Sequence, residues 1–183
     1  FGNYLVDTHM AERRREMRLV TLMTAIADTT ANPPEAGIGV DETSALTLTL
    51  EDGGLRMQAS GQSGAWWFER PSPRTAVGGW SVRGHYLAPG ASLFWRDGRM
   101  QLQSASAPTR PHSAALLAGG DALQPEALRM AVWNMARGDY SGTELDVLGY
   151  RLTVRMTPSS RRWQGPQGQQ GITGLTLVFS PGD

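Results

Sequence analysis

The chain has no cysteine and no lysine among its 183 residues. The first absence excludes disulfides and thiolate chemistry. The second makes all 17 basic side chains arginine, a bias that a GC-rich coding sequence accounts for. These are matched by 17 acidic residues, for a formal net charge of zero. A chain so balanced lacks the basic surface that displaces counterions from nucleic acid, so no nucleic-acid partner is expected. No run approaches the ~18 apolar residues of a membrane span, and the first residues do not have the form of a signal peptide. No membrane partner is expected either. What is present is a composition of 40% hydrophobic and 19% charged residues, that of a globular domain with a substantial core. The opening Phe1-Gly2-Asn3-Tyr4-Leu5-Val6-Asp7 has no initiator methionine and enters a strand pattern at once. We therefore expect a larger protein, of which an amino-terminal half precedes this chain.

Two dense islands organise the rest. The first is Asp7-Thr8-His9-Met10-Ala11-Glu12-Arg13-Arg14-Arg15-Glu16-Met17-Arg18-Leu19, the second Gly37-Ile38-Gly39-Val40-Asp41-Glu42-Thr43-Ser44-Ala45-Leu46. Residues 4–6 read as a buried strand that delivers polar groups at its carboxyl end. Asp7 or Thr8 can cap a helix over residues 10–27, whose stripe includes Leu19, Leu22, Met23 and Ile26, and Pro33-Pro34 forbids its continuation. Residues 37–40 read as the next strand, so strand, helix and strand follow in the order of a parallel βαβ unit. Beyond Glu42 the texture becomes alternating. Strands are expected over 45–50, 55–59, 65–69, 80–83, 93–96 and 100–103, with turns at Glu51-Asp52-Gly53-Gly54 and Asp97-Gly98. Residues 104–120 read as a lid-like loop, and Pro125 marks the start of a helix running to about Arg137. Two strands, over 147–156 and 172–179, flank a Gly/Gln/Pro-rich stretch (159–171) expected to be mobile.

His9 falls where ligands and catalytic groups gather, beyond the carboxyl end of a strand, and Asp41 and Glu42 fall at the equivalent end of the next. A carboxylate there can orient an imidazole and stabilise its cation, as in a Ser-His-acid triad. The alternative role for these groups is capping and turn formation. Arg13, Arg15 and Arg18 offer bidentate partners for carboxylates, or else form a solvated helix face paired with Glu12 and Glu16. Ser63, in Gly61-Gln62-Ser63-Gly64-Ala65, superficially suggests a nucleophile elbow. The strand-like Trp66-Trp67-Phe68-Glu69 that follows argues against it, because an elbow needs a strand-to-helix turn. His85 and His112 have no partner at metal-ligand spacing, so neither metal nor cofactor is expected. The tryptophans, among them Trp66, Trp67, Trp80 and Trp95, suit either a packed β core or a stacking face for glycans or peptides.

The islands resemble the cyanophycinase and dipeptidase E family of serine peptidases, whose cyanophycinase branch carries D-Q-H-F-x-x-R-x-R-x-x-R-L followed by G-I-G-[IV]-D-E-x-[TS]-A-L. Asp7, His9, Arg13, Arg15, Arg18 and Leu19 match the first motif, and Gly37 to Glu42 with Ala45 and Leu46 match the second. Thr8 stands in place of glutamine and Met10 in place of phenylalanine. The resemblance implies an α/β fold: the second half of a class I glutamine-amidotransferase-like three-layer α/β/α core, with a β-rich carboxyl-terminal extension. Residues 1–104 would belong to the hydrolytic core, and 105–183 would be the loop, helix and strand extension of the same domain. It further implies a hydrolase of the serine-protease type, acting on peptides with aspartyl or isoaspartyl linkages. His9 would be the base and Glu42 its carboxylate partner, with Asp7, Thr8, Arg13, Arg15 and Arg18 lining the substrate pocket. The family's serine lies in a G-T-S-A-G-A-like elbow upstream of the first island, before the point where this chain begins. Without that half, the open edge of the first strand also admits a homodimer. The alternative function is a non-catalytic, Trp-rich β domain that binds glycan or peptide.

Overall fold

The structure, a computed structural model, describes residues 3–13, 15–103, 116–117, 120–122, 124, 126–165 and 167–182. In chain order its elements are β1 (Tyr4–Thr8), α1 (Arg15–Thr29), β2 (Ala36–Val40), β3 (Ser44–Glu51), β4 (Gly54–Gly61), β5 (Ala65–Glu69) and β6 (Trp80–Leu87). Then come β7 (Ser92–Arg96), β8 (Arg99–Leu102), β9 (Leu116–Leu117), α2 (Ala127–Arg137), β10 (Gly142–Val147), β11 (Tyr150–Arg155), β12 (Arg161–Gln164) and β13 (Gln170–Pro181). A nine-stranded sheet runs β1-β2-β5-β6-β13-β11-β10-β9 with β12 paired to β13, and a four-stranded sheet runs β3-β4-β7-β8.

The expected three-layer α/β/α core is not what forms. The protein is 48% strand and 16% helix, with two helices and two sheets among the described residues. The βαβ unit is present, since β1 and β2 pair in parallel, but every later neighbour of β2 through β11 is antiparallel. The physical reason lies just past Glu42. A parallel crossover needs a dozen or more residues, usually a helix. Here β3 alternates exposed and half-buried residues and turns back after Glu51 through Asp52 and Gly53, both left-handed at φ 44° and 73°. That is the geometry of a two-residue hairpin. The same device, at Asp97-Gly98 and Leu148-Gly149, folds β7 on β8 and β10 on β11.

Packing follows from the β2–β5 register. Gly37 and Gly39 oppose Phe68 and Trp66, and residues directly opposite share a face. On that face a Cβ at Gly37 would strike Met23 Sδ, and one at Gly39 would strike the Met10 side chain. The two glycines let α1 and the turn before it sit directly on the strand. The other face carries Trp67, in ring contact with Tyr4 of β1 (5.4 Å) and Trp95 of β7 (5.9 Å). The four-stranded sheet thus occupies the side where a second helical layer was expected. Trp66, Trp67 and Trp80 are 0–4% exposed, and Trp80 stacks on Phe179 at 4.5 Å. These three tryptophans build the core, while Trp95 and Trp133 are half-buried.

Other elements differ from expectation in detail. The helix starts at Arg15 rather than residue 10, because His9 is left-handed (φ 56°) and Met10 to Arg13 form a turn. The strand expected over 147–156 forms as β11, which starts after a turn at Leu148-Gly149 and pairs with β10, a strand the sequence pattern did not suggest. The stretch 159–171 contains β12, paired to β13 from Arg161 to Gln164, and β9 falls within the expected 104–120 loop. His112 and Pro125 lie outside the described residues.

Candidate active site

Parallel pairing brings the two islands together. Val6 sits beside Ile38, Asp7 beside Gly39 and Thr8 beside Val40, so the chain leaves β1 and β2 at the same end. The next residues are His9 on one strand and Asp41 and Glu42 on the other. Beneath them Met10 is fully buried over Gly39. Arg13 N–H donates to the His9 carbonyl (3.3 Å) and Arg15 N–H to that of Met10 (2.9 Å), closing the turn on which His9 stands.

Glu42 Oε1 lies 3.8 Å from His9 Nδ1, with the histidine about half exposed (48%) and the glutamate at 16%. The Glu12 amide donates to the same oxygen at 3.2 Å, which fixes the carboxylate against the first island. Thr43 on the far side of Glu42 is also left-handed, at φ 56°. Two non-glycine residues in this sparsely populated conformation therefore bracket the pair, and surrounding contacts must hold them there. Contraction of the 3.8 Å separation by less than an ångström would give a hydrogen bond from Nδ1–H to the carboxylate, leaving Nε2 to accept a proton.

Asp41 points the other way, into the protein. It is 3% exposed, and its Oδ2 lies 3.6 Å from Arg129 Nη1 of α2 and accepts a long hydrogen bond from Tyr86 Oη at 3.4 Å. Burial pushes its carboxyl up to about 6, Arg129 opposing and the Glu42 charge adding to the effect. Glu16, from the first turn of α1, is also buried (5% exposed), and its Oε1 has no hydrogen-bond partner among the described residues. Burial raises it to about 7, against its own backbone N–H and with the negative charge of Asp41 adding to the rise. Arg129 also pairs with Glu126 and donates to Ser63 Oγ at 3.3 Å. Ser63 itself joins β4 to β5, two strands, and borders a cavity of about 310 Å³ floored by Tyr86 and Trp133.

The arginines converge on Asp7 instead of on Glu12 and Glu16. Arg15 Nη1 donates to Asp7 Oδ1 and to the Thr8 carbonyl, both at 3.0 Å, and Arg18 Nη2 donates to Asp7 Oδ2 at 2.5 Å. Burial alone would raise the Asp7 carboxyl. The hydrogen bonds from Arg18 and the Thr8 amide, with the charges of both arginines, outweigh it and hold the group below the usual range. Arg18 remains 57% exposed against 20% for Arg15, and Arg13 and Thr8 are exposed at the rim. His85 stands apart, buried in the sheet. Its Nδ1 accepts from Gly174 N–H (3.2 Å) and its Nε2 faces Glu69 Oε1 (3.0 Å).

The sequence pattern alone did not reveal Arg129, Tyr86 or the burial of Glu16. Arg129 is remote in sequence and looks like any helix-surface cation. Glu16 offered one signal, its place beside Met17 and Leu19 on the apolar side of α1.

No protein-family model, curated protein or solved structure matches this chain. The fold and site define a β-rich, two-sheet protein with a histidine–glutamate pair at the carboxyl ends of the parallel strands β1 and β2.

Proposed function

We propose that the chain carries the general-base half of a serine-type hydrolase site for aspartyl or isoaspartyl peptide bonds. The observation that supports this most is the approach of Glu42 to His9 Nδ1 at 3.8 Å, while Asp41 is committed to Arg129 and Tyr86. In this reading Nε2 takes the proton of an attacking serine and returns it to the leaving amine, and Glu42 orients the ring and stabilises its cation. The nucleophile is not assigned to Ser63, which joins two strands and accepts a hydrogen bond from Arg129; the motif resemblance implies a serine in an elbow outside the two islands. Arg15 is taken up by Asp7 and the Thr8 carbonyl, so it braces the end of β1. The more exposed Arg18 and Arg13 are the cations that meet a substrate carboxylate.

The test is hydrolysis of a β-aspartyl dipeptide by the protein expressed from its full gene. Glu42→Gln is expected to lower kcat by roughly 10²–10⁴-fold. Asp41→Asn is expected to reduce stability and leave kcat near wild type. The 183-residue chain alone is expected to be inactive. The reverse ranking of the two substitutions, or no hydrolysis by the full-length protein, refutes the assignment.

A further inference from the structure

The contact that orients His9 is also part of a wider cluster. His9, Glu12 and Glu42 each offer one donor atom, and these three atoms all lie within 4.8 Å of one another. We propose that His9 Nδ1, a Glu12 carboxylate oxygen and a Glu42 carboxylate oxygen form a three-ligand site for a divalent cation of the zinc class. Such a site goes beyond the hydrolase reading and does not depend on it.

Geometry carries the first part of the case. Zinc binds imidazole nitrogen and carboxylate oxygen at about 2.0–2.2 Å, which places tetrahedral ligands ~3.4 Å apart. The measured Nδ1–Oε1 separation is 3.8 Å, so this pair needs to close by only a few tenths of an ångström. His9 and Glu12 are exposed and can swing inward, while the Glu12 amide holds the Glu42 carboxylate in place. The ligands come from two anchored segments. One is the turn closed by the Arg13–His9 backbone bond, and the other is the β2–β3 connection.

Electrostatics carries the second part. Of the nearby arginines, Arg15 and Arg18 are paired with Asp7 and Arg129 with Asp41 and Glu126, while Arg13 is exposed beside Glu12 and opposes the cation. The carboxylates of Glu16 and Asp41 lie close enough to Glu42 to feel its charge. A mixed nitrogen and oxygen donor set suits zinc and its neighbours better than calcium or magnesium, which take oxygen alone. Three protein ligands leave a fourth position open to water or substrate. Occupancy and general-base catalysis exclude one another here, because the cation takes the nitrogen that Glu42 otherwise orients. Zinc therefore acts as an inhibitor of the proposed hydrolase.

The experiment is calorimetric titration of the purified chain with zinc chloride, with cobalt(II) absorption as a second reporter. The expected result is one ion per chain and a visible cobalt spectrum of low-symmetry coordination. Affinity is expected to fall at least roughly tenfold in Glu12→Gln and to vanish in His9→Ala. Glu144→Gln, a surface control, is expected to bind as wild type, and circular dichroism checks that each variant folds. Absence of binding by the folded chain, or binding undiminished by Glu12→Gln and His9→Ala, overturns the proposal. Both readouts use no peptide substrate, so failure of the hydrolase reading leaves them unaffected. Glu12→Gln retains the backbone amide on Glu42, so it separates metal ligation from support of the His9–Glu42 pair.

Discussion

Replacing Glu16 with glutamine is expected to stabilise the protein in a pH-dependent way. The carboxyl is 5% exposed, has one oxygen without a partner, and is raised from 4.5 to about 7, chiefly by burial. Because the folded state holds this proton more tightly than the unfolded chain does, stability falls as pH rises from 4.5 towards 7 and stays reduced above that. The difference of about 2.5 units corresponds to about 3 kcal/mol at ~1.36 kcal/mol per unit. Glutamine is neutral at every pH and of similar size, so the variant escapes the cost. Urea unfolding of both proteins between about pH 4 and pH 8 measures it. Near pH 4 the two curves are expected to coincide within ~1 kcal/mol, and near pH 8 the variant is expected to be more stable by up to about 3 kcal/mol. The wild-type profile alone does not isolate this. Asp41, raised to about 6, acts in the same direction. His85, held below its usual value by burial, acts in the opposite one by losing stability as pH drops through the ordinary histidine range. The difference between the two proteins cancels the His85 contribution and leaves from Asp41 only its coupling to Glu16. A pH-independent difference, or a glutamine variant that is less stable at pH 8, refutes the placement of Glu16 in the core.

Arg15→Ala is expected to cost about 1–2 kcal/mol of stability, because it strips a shielded partner from Asp7 and the Thr8 carbonyl, whereas Arg18→Ala costs less than ~1 kcal/mol. Chemical denaturation gives the ranking, and equal effects would contradict the observed difference in exposure. Under the proposed hydrolase reading the order is expected to reverse for substrate affinity, with Arg18→Ala raising KM more than Arg15→Ala. Gly39→Ala is expected to destabilise by about 1–3 kcal/mol by driving Met10 off β2. It should also perturb the His9 ring resonances in an NMR spectrum, because Met10 is the next residue; an unperturbed ring would separate Met10 packing from the placement of His9.

The legible parts of the sequence were those with a local code. Six apolar or alternating runs became strands near their expected positions, and Asp97-Gly98 became the hairpin turn its dipeptide announces. The βαβ unit was also visible, because its helix interrupts two short apolar runs. The three-layer architecture was not readable from that unit. One βαβ unit says nothing about what covers the opposite face, and the alternating β3 pattern that follows it was already a signal for antiparallel pairing. Leu148-Gly149 is a weak turn signature, so β11 is legible in the sequence and the preceding hairpin partner β10 is not. In the site, the convergence of His9 with Glu42 follows from parallel register, which a strand-helix-strand pattern encodes. The Arg129–Asp41 pairing is 88 residues long in sequence and depends on how α2 docks, for which no local pattern exists. The preference of Arg15 and Arg18 for Asp7 over Glu12 and Glu16 was equally hidden, since the helix begins one turn later than its periodicity suggested.

The position of β13 has a consequence for how the chain acquires its structure. This strand lies between β6 and β11, pairing with both. Among the described residues, the strands on its two flanks, β1-β2-β5-β6 and β11-β10-β9, are joined within the sheet through β13. During synthesis from the amino terminus, β6 therefore emerges with an unpaired edge and keeps it until some ninety further residues have been made. The β10–β11 hairpin can close early, because its partners are adjacent, but it has nothing to dock against in the sheet. Closing so long a loop before its contacts form slows folding and leaves strand edges open to wrong partners. The joining of the two flanks is thus the late step, and a ribosome-bound chain arrested just short of Gln170 is a natural substrate for a chaperone.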